Sequence, residues 1–253
     1  MSKTAFITGA GGYIGRETAL KLAKNGVNIA VCDINAETVE KTVSEIKKIG
    51  GSAKGYIADV TNPRDIENTM NNVVKDFNSL DIMVHVAGGS ARIAGAGAEY
   101  RKLCDQEDYV IDAVLKVNLY GAIYTSRSAA KIMREQGTGG AIVLFSSVVG
   151  VNGLTLCAEY AAAKAGVVGL SKSLAKEVGE YKITVNCVSP GVVLRPEEKE
   201  TERAFNTNFL KRKCTAEDIA NLVNFLCSDE ATFITGQNYI IDGGRCLAMK
   251  GSE

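Results

Sequence analysis

The chain of 253 residues has no tryptophan, three prolines and a single histidine, His85, and it has no net charge, with 29 basic against 29 acidic side chains. Each shortage excludes something. Balanced charge argues against a general binder of nucleic acid or other polyanions. A Ser-His-Asp hydrolase would have to use His85, which lies inside the apolar run Ile82–Val86. The seven cysteines (Cys32, Cys104, Cys157, Cys187, Cys214, Cys227 and Cys246) are odd in number, scattered and without a C-x-x-C pair. That pattern fits neither a disulfide framework nor a structural zinc site, and no metal is expected. No apolar run approaches the roughly 18 residues that cross a bilayer. Met1–Ile7 runs into a strand-like segment with no signal-peptide pattern, so no membrane and a cytoplasmic setting are expected. What is abundant is apolar material, 46% of the residues, enough for a substantial core.

Two periodicities alternate along the chain. Ala5–Ile7, Asn28–Cys32, Ile82–Val86, Ala141–Phe145, Ile183–Val188 and Gln237–Ile241 are short runs, apolar on both faces or nearly so, as buried parallel strands are. Amphipathic stretches lie between them: Ile14–Asn25, Ala36–Ile49, Pro63–Phe77, Asp108–Glu135, Tyr160–Glu177 and Ala216–Leu226. Cap signals mark two starts, Asn35 and Thr61-Asn62-Pro63. With a third strand before Asp59, the alternation predicts an α/β Rossmann fold: a doubly wound, parallel, seven-stranded sheet with helices on both faces. No repeat, linker or composition break divides residues 1–253, so one dinucleotide-binding catalytic domain is expected. Segments 88–105 and 192–213 escape the pattern and follow strands, where open parallel sheets bind ligands. They are the expected substrate loops.

The first strand ends in Thr8-Gly9-Ala10-Gly11-Gly12-Tyr13-Ile14-Gly15. Glycines at a strand-to-helix junction let backbone N–H groups approach a pyrophosphate at the helix N-terminus. Asp33, with Ile34 beside it, ends the second strand and can accept hydrogen bonds from the adenosine ribose hydroxyls. It would repel a 2′-phosphate, and no Lys or Arg adjoins it in Cys32-Asp33-Ile34-Asn35. NAD is therefore expected over NADP. Farther on, Tyr160 is the only one of nine tyrosines with a lysine, Lys164, four residues later. On a helix the two share a face, and the cation favours a phenolate.

These residues resemble the short-chain dehydrogenase/reductase family over nearly the whole chain. The serine thirteen residues before the tyrosine is Ser147, and the family's asparagine matches Asn118. Asp59-Val60, Ala87-Gly88, Pro190-Gly191 and Asp242-Gly243-Gly244 also match its motifs in order. The resemblance implies a catalytic set in which Tyr160 exchanges a proton with the substrate oxygen and Ser147 orients that oxygen. In it Lys164 lowers the Tyr160 pKa and holds the nicotinamide ribose, while Asn118 supports a water linking Lys164 to solvent. It implies cofactor contacts from Gly9, Gly11, Gly12, Tyr13, Ile14, Gly15, Asp33, Ile34, Asp59, Val60, Ala87, Gly88, Tyr160, Lys164, Pro190, Gly191 and Val193. It also implies a homotetramer or homodimer, with the helices from Asp108 and Tyr160 between subunits.

The chain departs from the family in three places. Tyr13 stands where single-domain members have glycine, and Gly9, Gly12 and Gly15 follow the spacing of extended members. His85-Val86 replaces an Asn pair, with His85 expected to be structural. Val192-Val193-Leu194-Arg195 lacks a usual threonine, so contacts to the cofactor carboxamide would fall to backbone near Val193.

The expected function is NAD(H)-dependent hydride transfer to or from a secondary alcohol or ketone. Ser90, Arg92 and Arg195 are candidate substrate contacts. Sugar, hydroxy acid, steroid and acyl-thioester substrates stay open. The alternatives are an NADP(H)-dependent 3-oxoacyl-thioester reductase, an epimerase or dehydratase with tightly held NAD, and a catalytically silent NAD sensor.

Overall fold

Alternate residues of the apolar runs part to opposite sides of a sheet, and each side is closed by helices. A computed structural model describes residues 2–195 and 208–247. Its strands are β1 (Thr4–Thr8), β2 (Asn28–Asp33), β3 (Ala53–Ile57), β4 (Ile82–His85), β5 (Gly140–Phe145), β6 (Ile183–Pro190) and β7 (Asn238–Ile241). They form one sheet in the order β3-β2-β1-β4-β5-β6-β7, and every neighbouring pair is parallel. The strand order reverses between β1 and β4, which opens a crevice at their carboxyl ends.

The helices are α1 (Tyr13–Lys24), α2 (Ala36–Lys48), α3 (Pro63–Phe77), α4 (Asp108–Leu115), α5 (Gly121–Gln136), α6 (Val149–Asn152), α7 (Ala158–Val178) and α8 (Ala216–Leu226). Side chains start several of them. Asn35 accepts from the Thr38 amide, Asn62 from those of Arg64 and Asp65, and Thr215 and Asp218 cap α8 reciprocally. Phe6, Met83, Ile142 and Val185 face α3, α5 and α7 in one core. Ile7, Val84, Val143 and Val188 face α1 and α8 in the other. Burial of both faces supplies the main stabilisation, on the order of 1.5–3 kcal/mol for each large apolar side chain.

The stretch expected as one helix from Asp108 to Glu135 is a composite. Between α4 and α5, Lys116–Tyr120 is a π turn. A single turn of this kind leaves the axis nearly continuous, so hydrophobic periodicity alone does not betray it. The segment after β4 is also ordered, with short 3-10 turns at Ala91–Ala94 and Leu103–Asp105. Of the second expected substrate loop, positions 196–207 lie outside the described residues. No helix among the described residues is long and apolar enough to cross a membrane.

Candidate active site

The glycine turn is built by contact with its surroundings. Gly9 has φ +65°, and a Cβ there would lie 2.7 Å from the Ala87 amide nitrogen. At Gly15 a Cβ would fall 2.1 Å from the Gly9 carbonyl oxygen. Neither position admits a side chain without moving backbone. Gly12 is the loosest, meeting only the Gly9 oxygen at 3.3 Å, and its own amide donates to that oxygen at 3.1 Å. The spacing shared with extended members therefore includes one glycine that sterics scarcely demand. Tyr13, at the first position of α1, lines the resulting cleft.

That cleft has a volume of about 620 Å³. Gly9, Gly12, Tyr13, Ile14, Gly15, Asp33, Ile34, Asp59, Val60, Ala87, Gly88, Val193 and Arg195, all expected from the sequence, line it. Ile93 and Val117 line it too and were not expected. Gly11 lines an adjoining cavity beyond Asp33, together with Arg16, Lys41 and Arg195. The Asp33 carboxylate is fixed by its own turn, accepting from the Gly11 amide at 3.0 Å and the Asn35 amide at 3.2 Å. Pro190 and Gly191 do not line the cleft. The Pro190 carbonyl accepts from the Val148 amide at 3.1 Å, tying the end of β6 to the turn after Ser147.

A second group of residues meets beside Gly88. Lys164 is 3% exposed, and its Nζ donates to the Phe145 carbonyl at 2.8 Å. It lies over the Tyr160 ring, 5.7 Å from the centroid. Ser146 Oγ donates to the Lys164 carbonyl at 2.7 Å, so this serine anchors α7 to the end of β5, a structural duty. Ser147 Oγ accepts from the Val149 amide at 3.2 Å and is hydrogen-bonded to Tyr160. Asn118, in the π turn, donates to the Gly89 carbonyl at 2.8 Å and accepts from the Gly89 amide at 3.0 Å. A Cβ on Gly88 would stand 2.5 Å from Asn118 Oδ1 and 3.1 Å from Lys164 Nζ, so these two side chains converge on the backbone of that loop.

Ser90 and Arg92 do not line the cleft. They contact Tyr100, which the sequence reading passed over. The only signal for it was an aromatic residue inside an otherwise small-residue loop.

Known proteins bear directly on this arrangement. The profile of the family described as Enoyl-(Acyl carrier protein) reductase matches residues 9–245. The chain belongs to the short-chain dehydrogenase/reductase family. It is 36% identical to a cyclohexanol dehydrogenase of Acinetobacter sp., over 96% of this chain and 94% of that protein. It is also 36% identical to a 3-oxoacyl-(acyl-carrier-protein) reductase of Thermotoga maritima, over 96% of this chain and 97% of that protein. The crystal structure of acetoin dehydrogenase from Enterobacter cloacae superposes with a TM-score of 0.89 at 32% identity, covering 100% of this chain and 99% of that one. The protein is thus an oxidoreductase of a family that uses nicotinamide cofactors. The glycine cradle, the helix N-terminus of α1 and the carboxylate of Asp33 fit a dinucleotide.

Electrostatics at this short-chain dehydrogenase site follow from burial. An ammonium removed from water is costly, and burial pushes the Lys164 pKa down to about 8. Burial likewise pushes the Tyr160 phenol above its ordinary value, while the Ser147 hydrogen bond pulls the other way. At the Tyr160 phenol, Lys164 contributes a ring contact rather than a hydrogen bond. Desolvation outweighs the other influences, and Nζ is bonded to Phe145 rather than to the phenol oxygen. His85 is fully buried, which depresses its pKa to about 3, so the ring is neutral. Its Nδ1 meets the hydroxyls of Thr8 at 3.1 Å and Thr125 at 3.0 Å, the structural duty expected of it.

Proposed function

We propose that the protein is an NAD(H)-dependent oxidoreductase acting on a secondary alcohol or its ketone. The observation that carries this reading is that Asn118 and Lys164 converge on Gly88, with Tyr160 and Ser147 next to Lys164, while Gly88 and Asp33 line one cleft whose walls do not include those four side chains. A bound nicotinamide supplies or accepts the hydride. The protein's own groups handle the oxygen and its proton. Tyr160 gives a proton to the carbonyl oxygen on reduction and takes it from the hydroxyl on oxidation. Ser147 orients that oxygen; its Oγ is held by the Val149 amide and its hydroxyl is bonded to the phenol beside it. Lys164, a cation below about pH 8, stabilises negative charge developing at the phenol. Asn118 fixes Gly89 and with it the loop that borders the nicotinamide end.

Asp33 supports NAD. Its oxygens are held at the cleft, where they can accept ribose hydroxyls and where a 2′-phosphate would meet a like charge. A second reading, NADP(H)-dependent reduction of a 3-oxoacyl thioester, draws on Arg16, Lys41 and Arg195 around the adjoining cavity. Arg16 already lies 3.6 Å from both Glu17 and Glu45, which weakens that claim. The epimerase reading leaned on Gly12, the least constrained glycine of the turn. The silent-sensor reading would need a gap in the catalytic set, and all four of its residues are present.

A panel of secondary alcohols and ketones, run with NAD(H) and NADP(H) and followed by cofactor absorbance, tests the proposal. NADH is expected to form stoichiometrically, with NAD favoured about tenfold or more, or about 1.4 kcal/mol. Preference for NADP, or bound NAD that is never released reduced, would sink it.

A further inference from the structure

The segment 88–105 packs down beside Tyr160. Ala91 forms a small apolar cluster with Val110 and Val114 of α4, and Ile93, Ala94, Ala98 and Tyr160 itself pack against it. The far end of the segment returns to its near end. Tyr100 Oη and Ser90 Oγ share a hydrogen bond at 2.5 Å, and the Arg92 guanidinium lies over the Tyr100 ring, 5.7 Å from its centroid. Tyr100 is near enough to Tyr160 to act on its titration. A guanidinium, a phenol and a serine hydroxyl are therefore assembled next to the proposed acid/base.

Charge separates Arg92 from its neighbour in the loop. Arg101 is neutralised by Glu107 at 2.9 Å and Glu99 at 3.5 Å. Arg92 makes no ion pair among the described residues, and its contact is the face of an aromatic ring. Stacking fixes a guanidinium without consuming its N–H donors, so the in-plane edge stays available for a planar oxyanion. In the Tyr100–Ser90 pair one O–H donates to the other oxygen, which leaves the second O–H for a ligand.

We propose that Arg92, Tyr100 and Ser90 form a clamp for the carboxylate of the substrate, which is a hydroxy acid or the matching keto acid. The clamp rests on the oxidoreductase reading above and narrows its substrate. On oxidation the carbinol C–H leaves as hydride to the nicotinamide and the hydroxyl proton goes to Tyr160 in its phenolate form, which ends as the phenol. The carbon ends as a ketone, and the carboxylate is unchanged in its clamp.

Initial rates on lactate, 3-hydroxybutyrate and 4-hydroxypentanoate, each beside its methyl ester, move the hydroxyl stepwise from the anion. At least one acid is expected to exceed its ester about tenfold or more in kcat/KM, chiefly through KM. Arg92→Gln should bring that ratio close to one, and Tyr100→Phe should lower it about threefold. Arg101→Gln, at an arginine already paired, should leave the ratio as it is. Two outcomes overturn the clamp alone: esters and neutral alcohols used as well as the acids, or a preference for acids that survives Arg92→Gln. No turnover of any acid, ester, ketone or neutral alcohol with either nucleotide overturns the oxidoreductase reading, and the clamp falls with it.

Discussion

Cavities of similar size lie at opposite ends of the sheet. The cleft at the carboxyl ends of the strands has about 620 Å³, and a cavity at the amino ends has about 700 Å³. The larger one is bordered by the starts of β5 and β6, by Lys3 and Asp81, and by the turns after α8. Its charges include Lys3 and Asp229, an exposed surface pair at 2.6 Å. The smaller one is bordered by the N-terminus of α1 and by Gly88, behind which lies a buried lysine beside a half-buried tyrosine. Volume does not locate chemistry here; direction does. In a parallel sheet every strand ends at the same edge and the connecting helices begin there, so orphan backbone N–H groups and loop side chains collect on that edge alone.

The sharpest way to test this contrast is to remove one oxygen at the carboxyl end. Tyr160→Phe is expected to lower kcat by about 10³-fold, or about 4 kcal/mol, while NAD binding measured by calorimetry persists. Lost binding would mean that the phenol builds the cleft rather than acting in it.

The next effect is on stability. His85 titrates near 3 when folded and near 6.5 ordinarily, so the unfolded chain takes the proton first as pH falls. Stability is thus complete above pH 6.5 and declines toward pH 3. Urea unfolding between pH 7 and about pH 5 should cost the wild type about 2 kcal/mol more than His85→Asn. Equal losses would contradict a neutral buried ring.

Smaller still is the change in cofactor preference. Asp33→Ser should weaken NAD binding about tenfold and bring NADP to near parity, read from the ratio of the two KM values. At the amino end Phe233 is fully exposed. Phe233→Ser should change kcat/KM by less than about twofold. A larger loss there would break the comparison and give the second cavity a share in function.

Much of this arrangement was written in residue pattern. Pro63–Phe77 and Ala216–Leu226 are helices with the bounds that their periodicity predicts, because caps and breakers are local features. The cleft was legible for a related reason. Glycine spacing and the placing of Asp33 at a strand end both report the short-range geometry of one β-α-β unit. What escaped was set by partners distant in sequence. Tyr100 acquires its position from Ser90 and Arg92 across a loop closure, and no period marks such a contact. The electrostatic balance at Tyr160 escaped as well, since burial, which the sequence spacing to Lys164 does not contain, dominates it.

The π turn at Lys116–Tyr120 carries a consequence for how this chain can vary in length. A π turn fits one more residue into about the same advance and rotation than an α-helix does, so the extra residue is taken up locally and α4 and α5 stay in phase. Deleting a single residue there would let the segment relax to α geometry and leave α4 and α5 in phase, so the change would fall on the residues of the turn itself. Asn118 is one of them, and resetting it would carry its amide away from Gly89 and release both bonds that pin the loop there. The enzyme would keep Tyr160, Ser147 and Lys164 unaltered and still lose the anchor of its substrate side. A one-residue deletion at this point would therefore leave the helix axis whole and still disturb the loop, an effect out of proportion to the atoms removed.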